Sequence, residues 1–186
     1  MQRFLFLVLI SSIALTPAAQ TKPIFRSQSF VGLLESETGA GAMVQTINGL
    51  GYKNWFGGLG TGIDWSGGAR SIPVFISMNK FLASKKYPLF FSGDIGLNFP
   101  WEQSGRLYIR DPGKNYPGLY WAGGLGWRFG MKKNDNAVLL NFGYNYKQYR
   151  NIYETTWPCL VPPCPVDKTT YDYRLKRLSL RVGWMF

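Results

Sequence analysis

From residue 89 onward the chain alternates with period two. In 89–99 the odd positions are Leu89, Phe91, Gly93, Ile95, Leu97 and Phe99, against Phe90, Ser92, Asp94, Gly96 and Asn98. In 119–129 the odd set is Leu119, Trp121, Gly123, Leu125, Trp127 and Phe129, against Tyr120, Ala122, Gly124, Gly126 and Arg128. In 137–146 the even positions Val138, Leu140, Phe142, Tyr144 and Tyr146 oppose Ala137, Leu139, Asn141, Gly143 and Asn145. The chain ends on Leu178, Leu180, Val182, Trp184 and Phe186, opposed by Arg177, Ser179, Arg181, Gly183 and Met185. Across these four segments one face is apolar at every position except Gly93 and Gly123, while the other is mostly small, polar or charged. Such alternation predicts strands. Segments 55–65 and 72–78 alternate less cleanly, and 29–37 and 42–50 are two further strands of ambiguous facing. The total is eight.

Two architectures bury strands of this kind. A soluble sandwich or lipocalin-like barrel turns the apolar face inward. A transmembrane barrel turns it to lipid and encloses the polar face. Side-chain size separates them here, because the polar face is stripped to Gly58, Gly60 and Gly62 in one strand and to Ala122, Gly124 and Gly126 in another. Water gives no reason for so many glycines, whereas the interior of an eight-strand barrel is only just wide enough for side chains. Trp55, Trp65, Trp121, Trp127, Tyr144, Tyr146 and Trp184 sit toward the ends of the apolar faces, where interfacial girdles of aromatics belong. The expected fold is therefore all-β: an eight-stranded antiparallel up-and-down transmembrane β-barrel.

Topology and targeting agree with that expectation. Residues 1–19 read as a signal peptide, with Arg3 as the positive start, 4–10 as the apolar stretch and small residues up to Ala19; the barrel domain is then 20–186. An even strand number leaves both termini on the periplasmic side. The connections near 51–53, 81–87 and 132–136 are then periplasmic and short, whereas 100–117 and 151–170 are long and external. In the second of these, Cys159 and Cys164 lie in a Pro-rich stretch of an exported chain, which favours a disulfide that staples the loop.

At the level of family, the chain resembles small eight-stranded bacterial outer-membrane β-barrel proteins. The final Phe186, with Trp184 and the other alternating apolar residues behind it, is similar to the C-terminal strand signal read by the outer-membrane assembly machinery. The runs Val44-Gln45-Thr46-Ile47-Asn48-Gly49, Trp55-Phe56-Gly57-Gly58-Leu59-Gly60-Thr61-Gly62-Ile63-Asp64 and Ser71-Ile72-Pro73-Val74 resemble the outer-membrane barrel domain common in Bacteroidetes. The resemblance implies location in the cell outer membrane and says little about activity.

Composition narrows the chemistry. The sequence holds His 0 and Cys 2, which removes imidazole general bases, His metal sites and Cys-only zinc sites. Gly58-Leu59-Gly60-Thr61-Gly62 lacks the spacing of a nucleotide-binding loop and lies within a strand. Asp64 and Asp94 share the inward face with Arg128, Lys147, Arg177 and Arg181, so the expectation is an interior ion-pair network, with Glu35 as a third carboxylate, and not an acid–base pair. The net charge of +11 is dispersed along the chain, which argues against nucleic acid and leaves two readings for the basic residues at the rims, contact with lipid phosphates or a plain solvated surface. No cofactor is expected. The expected partners are outer-membrane lipid and lipopolysaccharide, the assembly machinery, and an extracellular protein contacted through 151–170. A structural or surface-interaction role without enzymatic activity follows, with a narrow transport channel and a lipid A-modifying enzyme as the alternatives.

Overall fold

The computed structural model describes residues 22–37, 39–66, 69–82, 88–101, 114–131, 136–156 and 166–186. The expected leader and the expected Cys159–Cys164 staple lie outside them. Eight strands, β1 (Ile24–Ser36), β2 (Gly39–Tyr52), β3 (Trp55–Ser66), β4 (Ala69–Phe81), β5 (Leu89–Trp101), β6 (Lys114–Gly130), β7 (Ala137–Thr156) and β8 (Val166–Met185), pair in chain order into a closed barrel. Every neighbouring pair is antiparallel, and β1 closes on β8 from Gln28–Met185 to Glu35–Leu178. Beyond that ladder, Ser27 and Phe186 exchange backbone hydrogen bonds of 2.8 and 3.0 Å. We call the end that holds this seam the terminal end, and the opposite one the loop end.

The stagger is readable from the pairing. A path perpendicular to the strands runs from Trp101 through Arg70, Trp65, Ala42, Leu33, Leu180, Phe142 and Leu125, and returns to β5 at Phe91 instead of Trp101. That shear tilts the strands by about 35–45° to the barrel axis.

The alternating apolar faces point outward. Leu59, Ile76, Ile95, Phe142 and Leu180 are all exposed on the outside, Leu59 by 69%. The inner faces are filled. Toward the terminal end, Phe30, Ile47, Phe56, Phe81, Phe90, Leu139 and Met185 pack into one apolar cluster. Glycines make room for the rings. Gly96 on β5 lies between Phe75 on β4 and Tyr120 on β6, whose rings meet with centroids 5.1 Å apart. A Cβ on Gly60 or Gly126 would overlap the ring of Phe75 or Phe90 respectively, and one on Gly183 the ring of Phe30. A close ring over a glycine is the standard way a crowded barrel interior keeps both its aromatic content and its small diameter.

Two expectations need correction. Glu35 is not inside. In β1 the buried positions include Phe30 and Leu34, so Glu35 falls on the outer face, exposed and opposite Leu178. The second concerns 151–170 and 100–117, which are not loops throughout. β7 runs on to Thr156 and β8 begins at Val166, while β5 reaches Trp101 and β6 begins at Lys114. Beyond the apolar belt neither strand face is buried, so period-two alternation disappears while β-branched and aromatic residues such as Ile152, Tyr153, Thr169 and Tyr171 still favour the extended chain.

Candidate functional site: the filled lumen and the loop-end rim

The lumen carries two ionic centres. In the lower one, Arg181 donates from Nη1 to Asp94 Oδ2 at 3.1 Å and to Gln45 Oε1 at 3.2 Å. The same side chain donates from Nε and Nη2 to Asn141 Oδ1 at 3.1 and 2.8 Å, and its guanidinium lies 5.4 Å from the centroid of the Phe30 ring. Both charges are nearly inaccessible, Arg181 at 3% and Asp94 at 4%. In the upper centre, Lys147 pairs with Asp64, donates to Ser71 Oγ at 3.5 Å, and sits 5.5 Å from the Tyr120 ring centroid. Tyr120 links the two levels, because its hydroxyl accepts from Gln45 Nε2 at 3.2 Å and from Asn145 Nδ2 at 3.4 Å.

Of the residues named as an interior network, Asp64, Asp94, Lys147, Arg177 and Arg181 are therefore buried in the lumen. Arg128 stands apart near the terminal end, with its guanidinium 5.4 Å from the Phe81 ring centroid. Glu35 is on the outside. Gln45, Asn141, Ser92 and Tyr120 complete the centres. Sequence reasoning missed their role, although their inward parity was available for Ser92, Tyr120 and Asn141. The charges meet across the lumen, from β5 to β8 and from β3 to β7, so no local pattern reveals the partners.

Around Phe30, Ile47, Phe90, Ser92, Asp94, Asn141 and Arg181 the side chains leave no void that admits a water molecule. Isolated polar atoms remain, including both side-chain atoms of the fully buried Asn98. Among the described residues, no three His, Cys, Asp or Glu side chains converge on a metal-sized site.

The aromatic residues form two outward bands. Trp55, Trp127 and Trp184 lie toward the terminal end; Trp65, Trp121, Tyr144 and Tyr146 lie toward the loop end, with Trp121 packed on Tyr144 and Tyr146 at 5.4 and 6.0 Å. Lys80 sits on the Trp55 ring at 4.0 Å. Phe186 and Trp184 are exposed on the outer surface beside the seam.

Beyond the upper band, β6, β7 and β8 project. Tyr149 stacks on Tyr173 at 4.8 Å, and Tyr153 meets Tyr171 edge-on at 5.7 Å. Arg150 Nε donates to Asp172 Oδ1 at 2.6 Å, and Nη2 donates to Oδ2 at 3.5 Å. This hydrogen bond holds the Asp172 carboxyl below its ordinary pKa and raises that of Arg150. The β6–β7 register shifts between Pro117 and Tyr120. Proline brings no amide hydrogen to the ladder, so a bulge forms there, and beside it lies a cavity of about 320 Å³ lined by Tyr116, Pro117, Gly118, Gln148, Tyr149, Arg150 and Ile152.

No family model matches the sequence, so the likeness to the Bacteroidetes-type barrel domain rests on the quoted motifs alone. No curated protein matches it either. Among solved structures the chain is similar to the outer membrane protein AlkL, determined by solid-state NMR in DMPC lipid bilayers, with 12% identity and a TM-score of 0.50 over 92% of this chain and 94% of that one. It is also similar to neisserial surface protein A, with 12% identity and a TM-score of 0.46 over 87% of this chain and 94% of that one. What this chain has in common with AlkL is its fold, an all-β closed barrel of eight antiparallel strands.

Proposed function

We propose that the protein is an integral barrel of the bacterial outer membrane, with both termini periplasmic, whose lumen is closed and whose activity lies in what its loop-end surface touches. The observation that carries this reading is the inversion of the barrel. Leu59, Ile76, Ile95 and Phe142 point outward while Asp64, Asp94, Lys147 and Arg181 are enclosed. In water that arrangement exposes an apolar belt far larger than a soluble monomer tolerates; in a bilayer the same belt faces acyl chains, as the outward apolar band of an outer-membrane barrel does. The aromatic bands at its two ends support the same reading.

The tight packing of side chains around Arg181 favours a structural or surface-interaction role over a channel. Trp184 and Phe186 at the end of β8 fit the role of assembly signal. The projecting β6–β8 sheet, with its stacked tyrosines, is the surface for lipopolysaccharide or for an extracellular protein. It presents large rigid side chains with polar tips, the kind that make contacts at low entropic cost.

The test is cell fractionation combined with a gel run with and without boiling, followed by reconstitution into planar bilayers. Recovery in the outer membrane, a mobility that changes on boiling, and no steady conductance are expected. Co-migration of boiled and unboiled samples overturns the membrane reading, and a steady conductance overturns the closed lumen.

A further inference from the structure

We infer that the outer face of β6–β8, immediately beyond the loop-end aromatic band, is a binding site for the phosphate groups of lipopolysaccharide, with Arg174 and Lys176 as the phosphate-binding cations. The inference rests on the outer-membrane reading above and deepens it.

The outward positions of β8 run Trp184, Val182, Leu180, Leu178 and then Lys176, Arg174 and Asp172, so the strand passes from apolar to cationic within one step. Cross-strand neighbours fix what surrounds them. Lys176 is opposite Tyr146, Arg174 opposite Gln148, and Asp172 opposite Arg150. The Arg150–Asp172 ion pair cancels internally. Arg174 and Lys176 are left as exposed cations on the rim, Arg174 feeling Asp172 only at a distance. Glu35, opposite Leu178 on β1, and the exposed Glu37 two residues beyond it are the other outward carboxylates nearby, and among the described residues no ion pair joins either of them to Lys176.

Three chemistries meet here at the height where an outer-leaflet lipid changes character. Trp121, Tyr144 and Tyr146 offer an aromatic surface for the start of the acyl chains. Arg174 and Lys176 offer positive charge where headgroup phosphates lie, and a cation near an anionic membrane surface is attracted to it; a guanidinium adds the planar donor fork that suits phosphate oxygens. Beside them the cavity at the Pro117 bulge, with Gln148, Tyr116 and Tyr149 in its lining, gives room and hydrogen-bonding groups for the sugar that carries the phosphate. The elements line up along one side of the barrel. On the far side, Arg70 is outward between Trp65 and Trp101 and serves as the comparison cation.

The test uses the full mature chain refolded in a neutral detergent. Bisphosphorylated lipid A, its monophosphorylated form and phosphatidylglycerol are each added, and lipid retained on the folded barrel is counted by native mass spectrometry. Wild type is expected to retain bisphosphorylated lipid A in preference to the other two. The double variant Arg174→Gln/Lys176→Gln should lose about thirtyfold in apparent affinity, two surface cations' worth, and Arg70→Gln should lose little. Retention that weakens as salt rises is part of the expectation.

Unchanged retention by the double variant overturns the site, and so does an equal loss with Arg70→Gln. Equal retention of phosphatidylglycerol overturns the assignment to lipopolysaccharide. The mobility change on boiling is followed for every variant. If wild type lacks it, the membrane reading fails; if wild type and variants all show it and retention does not differ, only the phosphate site fails.

Discussion

Replacing Asp94 by Asn tests the lumen directly. The substitution keeps shape and one acceptor near Arg181 Nη1 and removes only the negative charge. Arg181 is then a cation at 3% exposure, held by the neutral oxygens of Gln45, Asn141 and Ser92. Removing one partner of a buried ion pair typically costs about 3–5 kcal/mol, because the remaining charge is uncompensated. The surviving hydrogen bonds place the variant at the lower end, about 3 kcal/mol. With a urea dependence of about 2 kcal/mol per molar, the midpoint should fall by roughly 1.5 M.

The assay is urea unfolding in lipid vesicles, followed by tryptophan fluorescence and by gel mobility. Arg181→Met is made alone and together with Asp94→Asn. If the loss comes from a stranded charge, the double variant recovers much of it, and the cycle gives a coupling of several kcal/mol. Asp94→Ala, which also removes the acceptor, should be at least as damaging as Asp94→Asn. An unchanged midpoint, or an equal cost of Asp94→Asn with and without Arg181, refutes the ion-pair argument.

Four further outcomes follow from the same geometry. Gly96→Val places a side chain against the Val74 carbonyl and the Phe75 backbone and should cost at least 1–3 kcal/mol by overpacking; Gly93→Ala, outward with nothing within 4 Å, should leave the urea midpoint within about 0.5 kcal/mol of wild type. Ile76→Arg on the lipid face should cost about 2–4 kcal/mol in vesicle unfolding and much less when measured in a short-chain detergent. Single-tryptophan chains that retain Trp127 or Trp121 should both be quenched more strongly by lipids brominated near the headgroup than by lipids brominated at the chain end. Asp172, depressed by its hydrogen bond from Arg150, contributes above the ordinary carboxylate pKa of about 4 and loses that contribution as pH falls through the lower folded value; amide protection factors at the β7–β8 projection, corrected for the intrinsic pH dependence of exchange, should therefore stay constant from pH 7 to 5 and fall only in stronger acid.

How much of this was legible in the sequence depended on whether an element had two different environments on its two faces. Trp127, Phe142 and Leu180 could be assigned to the outside because their neighbours Gly126, Asn141 and Arg181 belong to a crowded polar interior. β1 gave no such contrast: Phe30 is buried beside the exposed Val31, so apolar residues occupy both faces and Glu35 was put on the wrong one. The projecting ends of β7 and β8 were hidden for the opposite reason, since water on both sides erases the alternation. Which carboxylate meets which cation was not legible at all. Asp64 and Lys147 belong to β3 and β7, and they are brought together by the curvature and stagger of the closed sheet, which no stretch of chain encodes alone. The Pro117 bulge could have been suspected from a proline and a glycine in sequence just before the alternating run at 119.

The seam has a consequence for how the molecule comes into being. The ladder between β1 and β8 covers far less of its strands than the one between β7 and β8, and its last bonds involve Phe186 itself. β1 must therefore wait, with one edge unpaired, until β8 has been made. Joining ends so distant in sequence is slow and costly in chain entropy, and an unpaired edge invites foreign strands in the meantime. Without the Ser27–Phe186 bonds the pairs from Gln28–Met185 to Glu35–Leu178 would still hold the two strands together: the latch loosened, the hoop still closed.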